Sequence, residues 1–196
     1  MRVVERIIEY RSRSAEFTLY PLADIHLGNR ACDEDRLDAT LDAIAKNRKA
    51  LYILLGDQYD AIKAKDPRFD VRTLPQWLLQ AWHGGDLSGG VALKLEREMA
   101  RYDADLFLMG HHHKILTHAQ ARPIRVNDAM QLVQPPDKQG AICGTFLRGR
   151  IDGVDTYQER KGYRPNPAST EVLVKIRPDK CEVDVVKRTR QVSVVL

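Results

Sequence analysis

Cysteine is scarce: the 196 residues hold Cys32, Cys143 and Cys181, odd in number, scattered, and without a CxxC pair. That spacing argues against a disulfide framework and a zinc ribbon, and it fits a reducing, cytoplasmic setting. No apolar stretch approaches the ~20 residues of a membrane span, so no membrane partner is expected. The opening Met1-Arg2-Val3-Val4-Glu5-Arg6 has no signal-peptide layout, because charged residues interrupt any apolar core. The Gly-rich stretch 86–90 matches neither the GxGxxG nor the Walker pattern and carries no weight for nucleotide binding. Internal repeats and low-complexity segments are also missing.

What remains is ordinary for a globular protein: 43% hydrophobic and 30% charged residues, in a length that suits one domain spanning 1–196. The net charge of +4 is mildly basic and suits phosphate-bearing partners, though many plain enzymes share it. Basic residues thicken toward the end, at Arg148, Arg150, Arg160, Lys161, Arg164 and Lys187-Arg188-Thr189-Arg190.

The distribution of histidine is more informative. Four of the six, His26, His83, His111 and His113, lie just past apolar runs and within a few residues of a Gly. The run 106–108 closes on Met109-Gly110-His111-His112-His113, 17–22 leads into Ala23-Asp24-Ile25-His26-Leu27-Gly28, and 51–55 into Gly56-Asp57-Gln58-Tyr59-Asp60. An apolar run that stops at such residues is a buried strand delivering ligands at its end. Three such ends predict one metal site at the carboxyl edge of an α/β sheet. Asp24 and His26 alternate along an extended segment, so both can grip one ion. Taken singly, each of these residues is better explained as a helix cap or a loop residue.

Between these ends the pattern predicts the frame. Residues 3–10 alternate loosely, as an edge strand does, and 14–22 form a second strand. Asp33 caps a helix whose Leu37, Leu41 and Ile44 share a face, with Glu34 and Asp35 in its first turn. The strand over 50–55 is apolar on both faces, as a central parallel strand is. Residues 63–72 form a polar loop, and 75–82 a short apolar helix or strand. Residues 91–102 form an amphipathic helix with Val91, Leu95, Met99 and Tyr102 on one side. After a strand over 103–109 the chain turns to β: strands over 115–126, 129–134 and 141–148, then a hairpin with its turn at Pro178-Asp179. These form a second sheet packed on the first.

In order, D-x-H, G-D-x-x-D, H-G and G-H-x-H resemble the ligand motifs of the calcineurin-like metallophosphoesterases. The motifs run from Asp24 to His113, and Tyr157-Gln158-Glu159-Arg160-Lys161-Gly162-Tyr163 looks like a segment of phage and bacterial members. The resemblance implies an α/β sandwich of two mixed β-sheets flanked by helices. It also implies two divalent metal ions ~3.5–4 Å apart, one held by Asp24, His26, Asp57 and His113. The second would take Asp57 as a bridge with His83 and His111, while His112 points away. Ligands of this type favour Mn²⁺, with Fe or Zn²⁺ as alternatives. The implied activity is hydrolysis of phosphodiester or nucleotide-type substrates by a metal-activated hydroxide, with Asp57 at its centre and Asp60 orienting a ligand or loop. Arg160, Lys161 and Arg164 are candidates for guiding a phosphate, against the plainer alternative of a solvated loop.

One departure matters. The family carries a G-N-H-D or G-N-H-E motif between G-D-x-x-D and H-G, and here none of Asn29, Asn47, Asn127 and Asn166 precedes a His. That motif completes the second metal and supplies a His that stabilises the transition state or protonates the leaving group. Loss of such an acid costs on the order of 10²–10⁴ in rate, and loss of a ligand can empty the second metal position. The interval from Asp57 to His83 is also short, as if a block were missing near Arg72-Thr73-Leu74-Pro75. Two other functions compete: a degenerate member that binds one metal or serves as an interaction protein, and a nucleic-acid binder using the basic C-terminal half. The latter lacks interleaved aromatic and basic residues.

Overall fold

The computed structural model describes residues 7–59, 91–153, 156, 159, 170–180 and 182–189. Asp60, His83, Arg160, Lys161, Arg164 and the expected segments 63–72 and 75–82 lie outside them. The elements in order are β1 (Phe17–Ala23), α1 (Glu34–Lys46), β2 (Ala50–Leu55), α2 (Val91–Arg101), β3 (Leu106–Met109), β4 (Ile115–Gln120), β5 (Arg125–Val126), β6 (Leu132–Val133), β7 (Lys138–Cys143), β8 (Thr170–Arg177) and β9 (Glu182–Thr189).

They form one sheet of order β2-β1-β8-β9, a second of order β3-β7-β4, and a small β5-β6 hairpin. Both larger sheets are mixed. β1 runs parallel to β2 and antiparallel to β8, and β7 runs parallel to β3 and antiparallel to β4. Among the described residues the fold class is therefore α/β with mixed sheets, as expected.

Alternation sorts the side chains into three layers of contact. Ala23, Val172, Ala141 and Cys143, with Leu55, Leu108, Ile115 and Val185, fill the space between the sheets. On the outside of the first sheet, Leu22, Ile25, Cys32, Leu37 and Phe146 pack with Ile44 of α1. On the outside of the second, Leu95 and Met99 of α2 meet Ile142, Phe107, Met109 and Leu116. Successive residues of β1 and β7 thus face opposite cores, as a period of two requires. No helix among the described residues is long and apolar enough to cross a membrane.

The partition of strands differs from the expectation in an informative way. The closing hairpin β8–β9 does not join the second sheet; β8 pairs with β1, and its Val174↔Val185 and Ile176↔Val183 register matches the expected alternation. Conversely β3, expected beside β1 and β2, belongs to the second sheet with β7. Strand pairing is a long-range choice that apolar runs do not encode. Among the described residues β2, expected as a central strand, stands at the edge of its sheet beside β1, with Tyr52, Ile53 and Leu54 exposed.

Smaller differences have local causes. Residues 7–10 are not in a strand. The expected strand over 115–126 breaks after Gln120, near Pro123, whose missing N–H suits an interruption. The expected strand over 129–134 is reduced to Leu132–Val133. The one over 141–148 stops at Cys143, where Gly144 takes φ +82°. On α1, Leu41 is exposed and Thr40 is buried in its stead, its hydroxyl donating to the Arg36 carbonyl at 2.8 Å. Asp33 sits at the N-cap position but makes no side-chain cap; its carboxylate pairs with Arg148 at 3.0 Å. On α2, Leu95 and Met99 are buried as expected, while the helix stops at Arg101 and Tyr102, just past its end, is exposed.

Candidate metal centre

The ligand loops converge where the ends of β1, β2 and β3 meet between the two sheets, rather than along the edge of one sheet. Two glycines permit the approach. A Cβ on Gly56, which has φ +64°, would lie 1.9 Å from Asp24 Oδ1, and one on Gly110 would lie 2.9 Å from the Gly56 nitrogen. Only residues without side chains let these backbones touch.

Asp24 is the hub. It is fully buried, and its Oδ1 accepts the Asp57 N–H at 2.9 Å while its Oδ2 accepts the His111 N–H. One carboxylate therefore ties the loops after β2 and β3 to the loop after β1. The backbone adds Asp24 N–H to Leu55 carbonyl at 3.0 Å, His26 N–H to Asp57 carbonyl at 3.1 Å and Leu27 N–H to Gln58 carbonyl at 3.0 Å. Burial pushes the Asp24 carboxyl up to about 6, against the two backbone N–H groups that favour its charged form.

The imidazoles of His26 and His113 are buried, edge to face, with their Nε2 atoms 2.9 Å apart. Asp57 stands at the more open side, 3.3 Å from His111 Nδ1. Asp24, His26, Asp57 and His113 each offer a ligand atom, and these atoms lie within 4.8 Å of one another. That is close to the ~4.2 Å separating opposite ligands with bonds of ~2.1 Å. Two carboxylates and two imidazoles, mostly buried, make a donor set that could hold a metal ion. Cys143 lies near Asp24, but burial pushes its thiol up to about 12, so it stays protonated.

The backbone marks three of these four residues and His111 beside them. Asp24, His26, His111 and His113 all take positive φ, between 46° and 70°, in loops where an extended segment was expected for Asp24 and His26. Left-handed backbone at non-Gly residues costs about 1–2 kcal/mol each and persists where the surroundings over-determine it.

The expected ligand set is thus brought together in part. The four residues expected to hold the first metal converge. For the second, Asp57 and His111 are adjacent, and His83 lies outside the described residues. His112 stands outside the group of four; burial and then Lys94 of α2 hold its imidazole below the usual range.

Sequence reasoning missed the fourth element at the centre. The loop after β7 clasps Asp24 from behind: Thr145 Oγ1 donates to the Asp24 carbonyl at 2.8 Å and Phe146 N–H donates to the same oxygen at 3.1 Å. Arg36 of α1 stacks on the Phe146 ring at 4.4 Å and donates to the Thr145 carbonyl. A signal existed, since Gly144-Thr145 follows the apolar run 141–143 just as the ligand loops follow theirs. A second missed feature is the T-x-x-E pattern of Thr156 and Glu159. Glu159 accepts the Thr156 N–H at 3.1 Å and Thr156 Oγ1 accepts the Glu159 N–H at 3.3 Å, a capping box.

No protein-family model, no curated protein and no solved structure matches the chain.

Proposed function

We propose that this protein is a metal-dependent phosphoesterase of the calcineurin-like type, acting on phosphodiester or nucleotide-type substrates. The observation that carries the reading is the convergence of Asp24, His26, Asp57 and His113 ligand atoms within 4.8 Å, from three strand ends. The order of elements, two mixed sheets with a helix on each outer face, supports the same ancestry.

When bound, the divalent cation supplies Lewis acidity toward a phosphoryl oxygen and lowers the pKa of water. Asp24 and the two buried imidazoles hold the inner side of the site. Asp57 and His111, with side chains 22% and 40% exposed, form the side from which a phosphate ester reaches it. The His111 ring beside Asp57 orients that carboxylate, as partners behind metal ligands do. In this reading Asp57 is the ligand on which activity depends most directly.

A second reading has its own support. No Asn in the chain precedes a His, and the second metal position has Asp57 and His111 as its candidates among the described residues. A protein that binds one metal without turnover fits those facts.

The test is hydrolysis of an activated aryl phosphodiester with and without Mn²⁺, beside Asp57→Asn. An aryl leaving group needs little protonation, so the assay tolerates the absent His. We expect Mn²⁺-dependent turnover that vanishes in the variant. A folded protein that binds Mn²⁺ and turns over no faster than Asp57→Asn would establish the second reading instead.

A further inference from the structure

Asp24 is held from two sides. Its carboxylate accepts from the loops after β2 and β3, while its carbonyl accepts from the segment after β7. On that second side the Phe146 N–H and the Thr145 carbonyl belong to one peptide unit. The unit is trans, so it is planar and these two groups point in opposite directions. Whatever fixes the Thr145 carbonyl therefore also aims the Phe146 N–H, which donates to the Asp24 carbonyl at 3.1 Å. The guanidinium of Arg36, in the first turn of α1, donates to the Thr145 carbonyl and lies 4.4 Å over the Phe146 ring.

We propose that Arg36 is a positioning residue of the metal centre, acting on Asp24 through the 145–146 peptide unit. The inference rests on the reading of Asp24, His26, Asp57 and His113 as a metal site. α1 gives the guanidinium a firm base, since Leu37 is buried with Leu22, Ile25, Cys32 and Phe146. The segment after Thr145 also runs back along the start of the helix. Asp33 N–H donates to the Phe146 carbonyl at 2.8 Å, and Arg148 N–H donates to the Ala31 carbonyl at 2.7 Å. A hydrogen bond from a cation polarises the peptide it reaches, which strengthens the donation from the N–H at the other end. Asp24 has φ 46°, a conformation that its surroundings must hold. Fixing its carbonyl fixes its main chain, and with it the direction of the carboxylate that gathers the Asp57 and His111 loops.

The experiment is calorimetric titration of the full chain with Mn²⁺, together with the visible spectrum of its Co²⁺ form. It compares wild type with Arg36→Met and Ile44→Ala. Arg36→Met keeps an unbranched stem against Phe146 and removes the charged donor. Ile44→Ala instead loosens the packing of the same helix two turns further on. We expect Arg36→Met to bind Mn²⁺ about three- to tenfold more weakly and to shift the Co²⁺ bands. That is less than the ~10–100-fold lost with a partner bonded directly to a ligand side chain. Ile44→Ala should melt earlier and bind Mn²⁺ as wild type does. Circular dichroism checks the fold; should Arg36→Met fail to fold, Arg36→Gln replaces it with the same expectation. An unchanged Mn²⁺ affinity or an unchanged Co²⁺ spectrum in the Arg36 variant overturns the proposal and leaves the metal site standing. Equal weakening in Ile44→Ala overturns it too, since affinity would then follow stability alone. A folded wild type that binds neither ion overturns the proposal together with the metal site.

Discussion

The two ends of the sandwich use left-handed backbone on opposite terms. At the metal end, Asp24, His26 and His113 are buried with positive φ, and hydrogen bonds from neighbouring loops cross-link the backbone there. At the far end, Met130 has φ 59° in the turn of a hairpin whose side chains face solvent. There the turn itself explains the conformation: Asn127 Oδ1 accepts the N–H groups of Ala129 and Gln131 at 3.0 and 2.9 Å, an Asx turn. The same dihedral is a local turn in one place and, in the other, the product of three chain segments closing on a carboxylate. Strain that neighbours impose points to a site, whereas strain that a turn generates does not.

Two glycines break this comparison most directly. Gly56 and Gly153 both have positive φ, 64° and 71°, but a Cβ meets Asp24 at the first and nothing within 4 Å at the second. We expect Gly56→Ala to lose more than about 3 kcal/mol of stability, combining backbone strain with a displaced carboxylate. Its Mn²⁺-induced rise in melting temperature should vanish. Gly153→Ala should cost only about 1–2 kcal/mol, the strain alone, with the Mn²⁺ effect intact. Equal losses in urea denaturation would mean that packing at Gly56 adds nothing to the backbone term.

The pH dependence of the metal-free protein sharpens the account of Asp24. Its carboxyl, pushed up to about 6 by burial, sits above the 3.8 of the free side chain. The folded chain therefore holds this proton more tightly than the unfolded one. The contribution is fully present below about pH 4 and is lost as the pH rises through 6, by about 3 kcal/mol in all. Asp24→Asn should remove it, so the difference between the two urea-denaturation curves isolates the group. Saturating Mn²⁺ should reverse the trend, because the cation favours the charged carboxylate. A flat difference between pH 4 and 7 would show that Asp24 is solvated in the metal-free state.

A smaller effect is expected behind the site. Thr145→Val removes the donation to the Asp24 carbonyl at 2.8 Å and the acceptor for Leu147 N–H at 3.1 Å. The expected loss is about 1–2 kcal/mol, with Mn²⁺ affinity reduced by up to about tenfold, as for partners that orient metal ligands. Calorimetric titration with Mn²⁺ checks both the affinity and the stoichiometry of the site.

These positions also show where sequence reasoning succeeded and where it stopped. That Asp24, His26, Asp57 and His113 gather in one place was legible because they lie just past apolar runs, a pattern written within a few residues. The amphipathic face of α2, buried at Leu95 and Met99, was legible for the same reason. Which sheet receives β3, and that β8 pairs with β1, were not, because both depend on partners far along the chain. Thr145 went unnoticed since its role is to hold a main-chain oxygen 121 residues away, and any hydroxyl in a loop resembles it.

The chain's own pattern determined that Asp and His residues stand at the ends of apolar strands, since burial and turn chemistry are local properties. The tertiary structure decided that those ends meet between two sheets. Gly56 and Gly110 touch there, and the Asp24 carboxylate links loops whose order in sequence says nothing of their distance. It also decided which apolar faces stay uncovered, because exposure is a property of neighbours rather than of the residues themselves.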